Sequence, residues 1–215
     1  MSWPNELRRA LDDQLGGRVS YWRGWDKQLI GPWRTRTGRP AALLLHHTAG
    51  AATSSTSASD PGNKRGANAG VVRYVAKHPT FGIPCSSFCL DRDGRLYVMT
   101  AWPTYHAGLG DFAGSRWNAL GINRNDGNRT LLGVEIVSKG ARDDLTDAQW
   151  RSLAALARAC STAARWHDTS PIRLPRHRDY APARKVDVRA EHPRIQAMLR
   201  KYPGTAATPK PGKPS

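Results

Sequence analysis

Apolar residues recur at helical spacing near the start of the chain. Leu7, Ala10, Leu11 and Leu15 form one stripe, which predicts an amphipathic helix over Trp3 to Leu15, stopped by Gly16-Gly17. The pattern then changes character. Ala41 to Leu45 is short and continuously apolar, as a strand covered on both faces should be. Leu131 to Val137 repeats that pattern with one anomalous charge, Glu135. Ser86 to Leu90 and Leu96 to Thr100 flank Asp91-Arg92-Asp93-Gly94-Arg95 and predict a hairpin with a glycine-containing turn. Val71 to Lys77 predicts a helix that ends before His78-Pro79. Thr146-Asp147-Ala148-Gln149 is a capping box, and Trp150, Leu153, Ala154, Ala157 and Cys160 behind it recur at helical spacing out to Trp166. Glu191 to Tyr202 predicts a last, shorter helix. Strands interleaved with helices give an α/β domain.

The segments between are equally uneven. Tyr21-Trp22-Arg23-Gly24-Trp25 and Trp33 to Pro40 form an aromatic and basic connector, whose tryptophans are expected to pack. Ser54 to Gly70 reads as a long surface loop, and 204–215 is a Pro/Lys-rich tail with nothing to pack. Three parts follow: an N-terminal helix and connector over 1–40, the α/β domain over 41–203, and the tail over 204–215.

At 215 residues and 39% hydrophobic content, one domain with one core is expected. The chain contains no run of about 18 apolar residues and so no membrane-spanning helix. Its N-terminus lacks the apolar stretch of a secretory signal, so synthesis in a cytoplasm is expected, with something else needed for release. A net charge of +16 calls for a polyanionic neighbourhood. Nucleic acid and the phosphate-bearing polymers of a bacterial envelope both meet that need. The basic residues are scattered, however, without a helix-turn-helix, finger or RNP-like motif. Cys85, Cys89 and Cys160 form no CxxC pair. Cys85 and Cys89 would lie about 13 Å apart in extended chain, beyond disulfide reach unless the backbone bends at Pro84. They are expected as reduced, structural thiols.

The chemistry concentrates in two stretches. His177-Arg178-Asp179-Tyr180-Ala181-Pro182-Ala183-Arg184-Lys185-Val186-Asp187 places an imidazole, an ammonium and a carboxylate in one segment. Pro182 forbids a continuous helix there, so a loop is expected. Far upstream, the apolar run Leu43-Leu44-Leu45 ends in His46-His47. Two histidines and one carboxylate make a catalytic-zinc ligand set with a fourth position open. His46 and His47 must face opposite ways if the strand continues, so only one can reach the metal. Glu135 in an apolar strand costs several kcal/mol unless paired, metal-linked or protonated. It is either a general base with a raised pKa or half of a buried salt bridge. Lys185, two residues from Asp187, is either a solvated lysine or an oxyanion holder.

Taken together, these stretches resemble the zinc-dependent N-acetylmuramoyl-L-alanine amidases of the type-2 amidase and peptidoglycan-recognition-protein superfamily. Leu45-His46-His47-Thr48-Ala49 is similar to the first-ligand motif, Leu132-Gly133-Val134-Glu135-Ile136-Val137 to the catalytic-glutamate strand, and His177 through Asp187 to the closing signature. Tyr105-His106-Ala107-Gly108 and the Asp91-Arg92-Asp93-Gly94 hairpin also fit, over a span from Gly24 to Val188. The Gly24-Trp25 opening, Thr37-Gly38-Arg39-Pro40 and Pro84-Cys85 look most like endolysins of phages that infect actinobacteria. The chain departs from the family at Asp187-Val188-Arg189, where members usually continue Asp-Pro-Gly.

The resemblance implies a central mixed β-sheet flanked by helices. It implies zinc (Zn2+) held by His46, His177 and Asp187, with Glu135 as general base and Lys185 as oxyanion stabiliser. His106, His47 and Tyr105 would contact substrate. The bond cut would join N-acetylmuramic acid to L-alanine in peptidoglycan. As an endolysin, a monomer, the protein would meet the wall after holin-type release, assisted by anionic wall polymers and without membrane insertion. Two rivals share the superfamily or the metal chemistry: a non-catalytic peptidoglycan-binding module, and a zinc peptidase acting within the stem peptide. The ordered ligand motifs argue against nucleic acid as partner.

Overall fold

The computed structural model describes residues 2–27, 39–49, 69–140, 143–167 and 170–203. Most of the expected connector at 33–40, the loop at 54–70 and the tail at 204–215 lie outside these residues.

Five strands form one mixed sheet: β1 (Val19–Tyr21), β2 (Ala42–His47), β3 (Phe88–Leu90), β4 (Leu96–Val98) and β5 (Leu131–Ile136), in the order β1-β4-β3-β5-β2. Only the β3-β4 hairpin is antiparallel, and the other pairings run parallel. The helices are α1 (Trp3–Leu15), α2 (Ala69–Ala76), α3 (Gly127–Thr130), α4 (Asp147–Ala164), α5 (His177–Tyr180) and α6 (His192–Lys201). No helix among the described residues is long and apolar enough to cross a membrane.

Strand alternation sorts the core. Leu43, Leu45, Leu132, Val134 and Ile136 point to one face, where Leu7 and Leu11 of α1, Leu153 and Ala157 of α4 and Ile195 of α6 cover them. The α1 stripe at Leu7, Ala10, Leu11 and Leu15 is buried as its spacing predicts. Ala42, Leu44 and Leu131 point the other way, onto Phe112, Trp117 and Tyr180. Cys89, Tyr97 and Val137 pack there against Val72 and Val75 of α2. The sheet is therefore covered on both faces, which is why its two longest strands read as unbroken apolar runs.

The α4 capping box forms as expected: Thr146 Oγ1 accepts from Gln149 N at 3.1 Å and Thr146 N donates to Gln149 Oε1 at 3.0 Å. The helix closes at Ala164, with Arg165 in the left-handed region at φ 57°, just short of the expected Trp166. Cys85, Cys89 and Cys160 are buried thiols, with no disulfide among the described residues. Trp25 packs into the core, as expected for that half of the aromatic connector.

Candidate active site

Parallel strands β2 and β5 bring the first two polar residues together. His46 stands on the β2 face that carries Ala42 and Leu44, and the register sets it directly beside Glu135 of β5. Residues level with each other in a parallel pair project from the same face of the sheet. His47 turns the other way and its ring lies against Gly140, where a Cβ would overlap it.

His177 arrives by another route. The chain ahead of α5 runs beside the free edge of β2, bridging Leu45 to Arg176, and Leu45 N donates to Pro175 O at 2.9 Å. Here the structure corrects the expected loop: one helical turn, His177–Tyr180, forms before Pro182. Pro182 forbids a continuous helix through the segment, yet a single turn closes ahead of it. The chain then folds back, with Lys185 N donating to Ala181 O at 3.0 Å and Arg178 N to Asp187 O at 2.6 Å. Asp187 thus reaches His177 with Val188-Arg189, not Pro-Gly, following it.

Three donor atoms meet at this point. His46 Nδ1 lies 2.9 Å from His177 Nδ1, and Asp187 Oδ2 lies 3.2 Å from His177 Nδ1 and 3.6 Å from His46 Nδ1. The three residues are 2%, 3% and 8% exposed. Each offers one ligand atom, all within 4.8 Å of one another. Two imidazoles and a carboxylate suit a divalent ion such as zinc, which takes N and O ligands at about 2 Å.

Burial lowers the pKa of His46 to about 4, assisted by His177 and opposed by Asp187, so its ring is neutral as a ligand must be. For Asp187 burial acts upward, but the contacts with His177 and His46 outweigh it and hold the carboxyl well below the usual range. Burial pushes Glu135 up to about 8; the Asp187 charge adds to this and Lys185 works against it.

These groups line a cavity of about 440 Å³. One wall is aromatic: Tyr74 and His78 have ring centroids 4.8 Å apart, His78 stacks on Phe81 at 4.6 Å, and Phe81 meets Tyr105 at 5.0 Å. Arg184, Lys185, Val186 and His47 also line it. His106 is nearly covered, at 7% exposure, with Nδ1 3.2 Å from His46 Nε2.

Residues 36–193 match the family described as N-acetylmuramoyl-L-alanine amidase. The chain belongs to that family. No curated protein matches it. Among solved structures, the amidase-family fold is shared with AmpD, in a selenomethionine derivative, at 20% identity and TM-score 0.54, covering 87% of this chain and 98% of that one. It is also shared with a point variant of Drosophila PGRP-LB in complex with tracheal cytotoxin, at 13% identity and TM-score 0.52, covering 87% and 95%. The mixed sheet flanked by helices is therefore the type-2 amidase architecture.

All eight predicted site residues of this amidase-family chain line the same cavity. Several neighbours escaped the sequence. Tyr74 and His78 stand one helical turn apart, a spacing that could have flagged them, but Phe81 follows in a turn with no pattern. Asn128 is buried and braces the 106–108 segment from α3, which nothing in its own surroundings in the sequence announces. Arg176, 5% exposed, grips Asp179 through two hydrogen bonds, Nε to Oδ2 at 3.0 Å and Nη2 to Oδ1 at 2.8 Å. Its Nη1 donates to Glu191 Oε2 at 2.9 Å and to Ala190 O at 3.2 Å, and His192 Nε2 lies 3.1 Å from Asp179 Oδ2. Burial alone would raise the Asp179 carboxyl, but the close contact with His192 and the hydrogen bonds from Arg176 bring it down to about 2. This cluster lies behind α5 and locks it to the start of α6.

Proposed function

We propose that this protein is a zinc-dependent N-acetylmuramoyl-L-alanine amidase that cuts the bond between the muramic acid lactyl group and L-alanine in peptidoglycan, and that it serves as a phage endolysin. One observation carries the catalytic reading: a buried His46-His177-Asp187 donor set with Glu135 on the adjacent strand and Lys185 in the same cavity lining. The chemistry that zinc supplies there when bound is Lewis acidity, which polarises the scissile carbonyl, brings the pKa of water to about 7 and draws the Glu135 pKa downward.

The chain's own groups do the rest. Glu135 removes a proton from the attacking water as its oxygen bonds to the lactyl carbonyl carbon. Lys185 donates to the oxygen that becomes negative. When the carbon–nitrogen bond breaks, Glu135 returns the proton to the departing L-alanine nitrogen. The products are a lactyl carboxylate on the glycan and a stem peptide with a free amine. The aromatic wall of Tyr74, Phe81 and Tyr105 suits the apolar face of a sugar ring, and Arg184 and Lys185 suit peptide carboxylates.

The test is zinc content by elemental analysis, then mass spectrometry of digested walls. New amines at L-alanine are expected. Amines elsewhere in the stem would make the protein a zinc peptidase, and wall binding without new amines would make it a recognition module. The +16 charge further predicts that wall lysis falls with added salt more steeply than cleavage of a soluble muropeptide. Equal salt slopes would remove anionic wall polymers as a partner.

A further inference from the structure

We infer that the dipeptide His106-Ala107 is the positioning element of the metal centre, fixing the tautomers of both histidine ligands so that each turns a bare Nδ1 to the ion. This rests on the zinc reading above.

Three contacts to carbonyls and rings set the tautomers. His177 Nε2 lies 3.0 Å from the carbonyl oxygen of Ala107. A carbonyl oxygen only accepts, so that nitrogen carries the hydrogen, and Nδ1, which faces Asp187 Oδ2 at 3.2 Å, is the nitrogen left to a shared cation. His106 Nε2 lies 3.3 Å from the carbonyl oxygen of Leu131, so it too is the protonated nitrogen and His106 Nδ1 is an acceptor. The neighbour of that acceptor, at 3.2 Å, is His46 Nε2, which must therefore donate. His46 Nδ1 is then left to it as well. With a cation shared among His46 Nδ1, His177 Nδ1 and Asp187 Oδ2, both nitrogens turn a lone pair to it, and no proton is needed between the two rings 2.9 Å apart. Partners that hold the distal nitrogen of a ligating histidine set both its tautomer and its aim.

The dipeptide is itself braced. Asn128 Oδ1 accepts from Ala107 N at 2.7 Å and from Gly108 N at 3.3 Å, and His106 N donates to Thr104 O at 3.0 Å. Beneath the His106 ring lies Gly133 of β5, where a Cβ would stand 2.6 Å from Nδ1 and 2.7 Å from Cγ. Any side chain at 133 would displace the ring from its contact with His46. His106 was expected to touch substrate and does line the cavity; its burial and both ring contacts give it a supporting role towards His46 as well.

The full chain tests this. Zinc affinity, measured by chelator competition, should weaken about 10- to 100-fold in His106→Leu. The absorption bands of the cobalt-substituted form should shift with it. His106→Gln should restore both, because its amide can accept from His46 and donate to Leu131. Long-range proton–nitrogen spectra of the ring-labelled, zinc-loaded parent should show His46 and His177 protonated at Nε2, a measurement that needs no variant to fold. A His106→Leu protein with parental affinity and cobalt spectrum overturns the inference while leaving the metal reading intact. So does equal loss in the Leu and Gln variants, which would mean packing alone, or a His46 protonated at Nδ1. A parent that binds no zinc overturns both.

Discussion

The short helix α5 has a polar cluster in front of it and another behind, and the two are built on opposite terms. Behind it, Arg176 is gripped by Asp179 and Glu191, so cation and anions answer each other within the chain. In front, His46, His177 and Asp187 crowd three electron-pair donors into one spot. Burial does not distinguish them, since Arg176 is 5% exposed and His177 3%. What differs is closure. Buried charge is tolerated when complementary groups surround it, and a set of like donors is tolerated when something positive is shared among them. The rear cluster pairs cation with anions inside the chain; the front one gathers three ligand atoms that could hold a metal ion. Residues one apart in sequence, Arg176 and His177, therefore do unrelated work.

The largest effects should separate these two roles. Asp187→Ala or His177→Ala should abolish zinc retention and wall cleavage. The melting temperature of the metal-free protein should fall by less than Arg176→Met causes, since Asp187 also loses its contacts with the histidines, while the rise caused by zinc disappears; for the parent that rise corresponds to about 4 kcal/mol at a thousandfold excess over Kd. A large drop in metal-free stability would show that the front cluster, too, is structural. Arg176→Met should do the reverse, removing about 3–5 kcal/mol because Asp179 and Glu191 lose their buried cation. Denaturant titration of the metal-free protein measures this, and the fraction that stays folded should still bind zinc one-to-one. Loss of zinc with no loss of stability would erase the distinction.

A smaller effect sharpens the front cluster alone. Glu135 sits beside His46 in the strand register but supplies no ligand atom to the three-residue set. Glu135→Gln should keep parental zinc affinity and lose about 10²-fold or more in turnover on a soluble muropeptide. Parental turnover would remove Glu135 as the proton carrier, and lost zinc would make it a ligand.

Much of this was legible in the sequence because each strand-borne group interrupts an apolar run. His46 ends one run and Glu135 breaks another, and alternation alone separates His46 from His47. The helices α1 and α4 announced themselves by period and cap, signals carried within a few residues. The one-turn α5 is hidden in the sequence because a proline five residues on dominates the local pattern. Only the long-range pairing of Leu45 with Arg176 supplies the register that seats the turn. Arg176, Asn128 and the aromatic wall were missed for the same reason. Beyond the local pairs Arg176–Asp179 and Tyr74–His78, their partners lie at Glu191, at Ala107 and at Tyr105, too far along the chain for a short window to contain. What periodicity encodes is which face is buried; what it omits is which buried polar groups find each other.

The smallest effect tests whether the rear cluster is as complete as its geometry implies. Asp179 has its pKa lowered from 3.8 to about 2, so the folded state prefers the ionised carboxylate more than the unfolded chain does. Its contribution to stability is therefore fully present above 3.8 and is lost as the pH falls through that value towards 2. Asp179→Asn cannot titrate and lacks the contribution throughout. The gap in melting temperature between parent and variant, both metal-free, should be constant from neutrality to about pH 5 and close progressively in more acid solution. Asp187 titrates in the same direction, but it is present in both proteins and cancels from the difference. A gap that stays constant as the pH falls through 3.8 would mean that Asp179 gains nothing from Arg176 and His192, and the rear cluster would then be no more self-sufficient than the front.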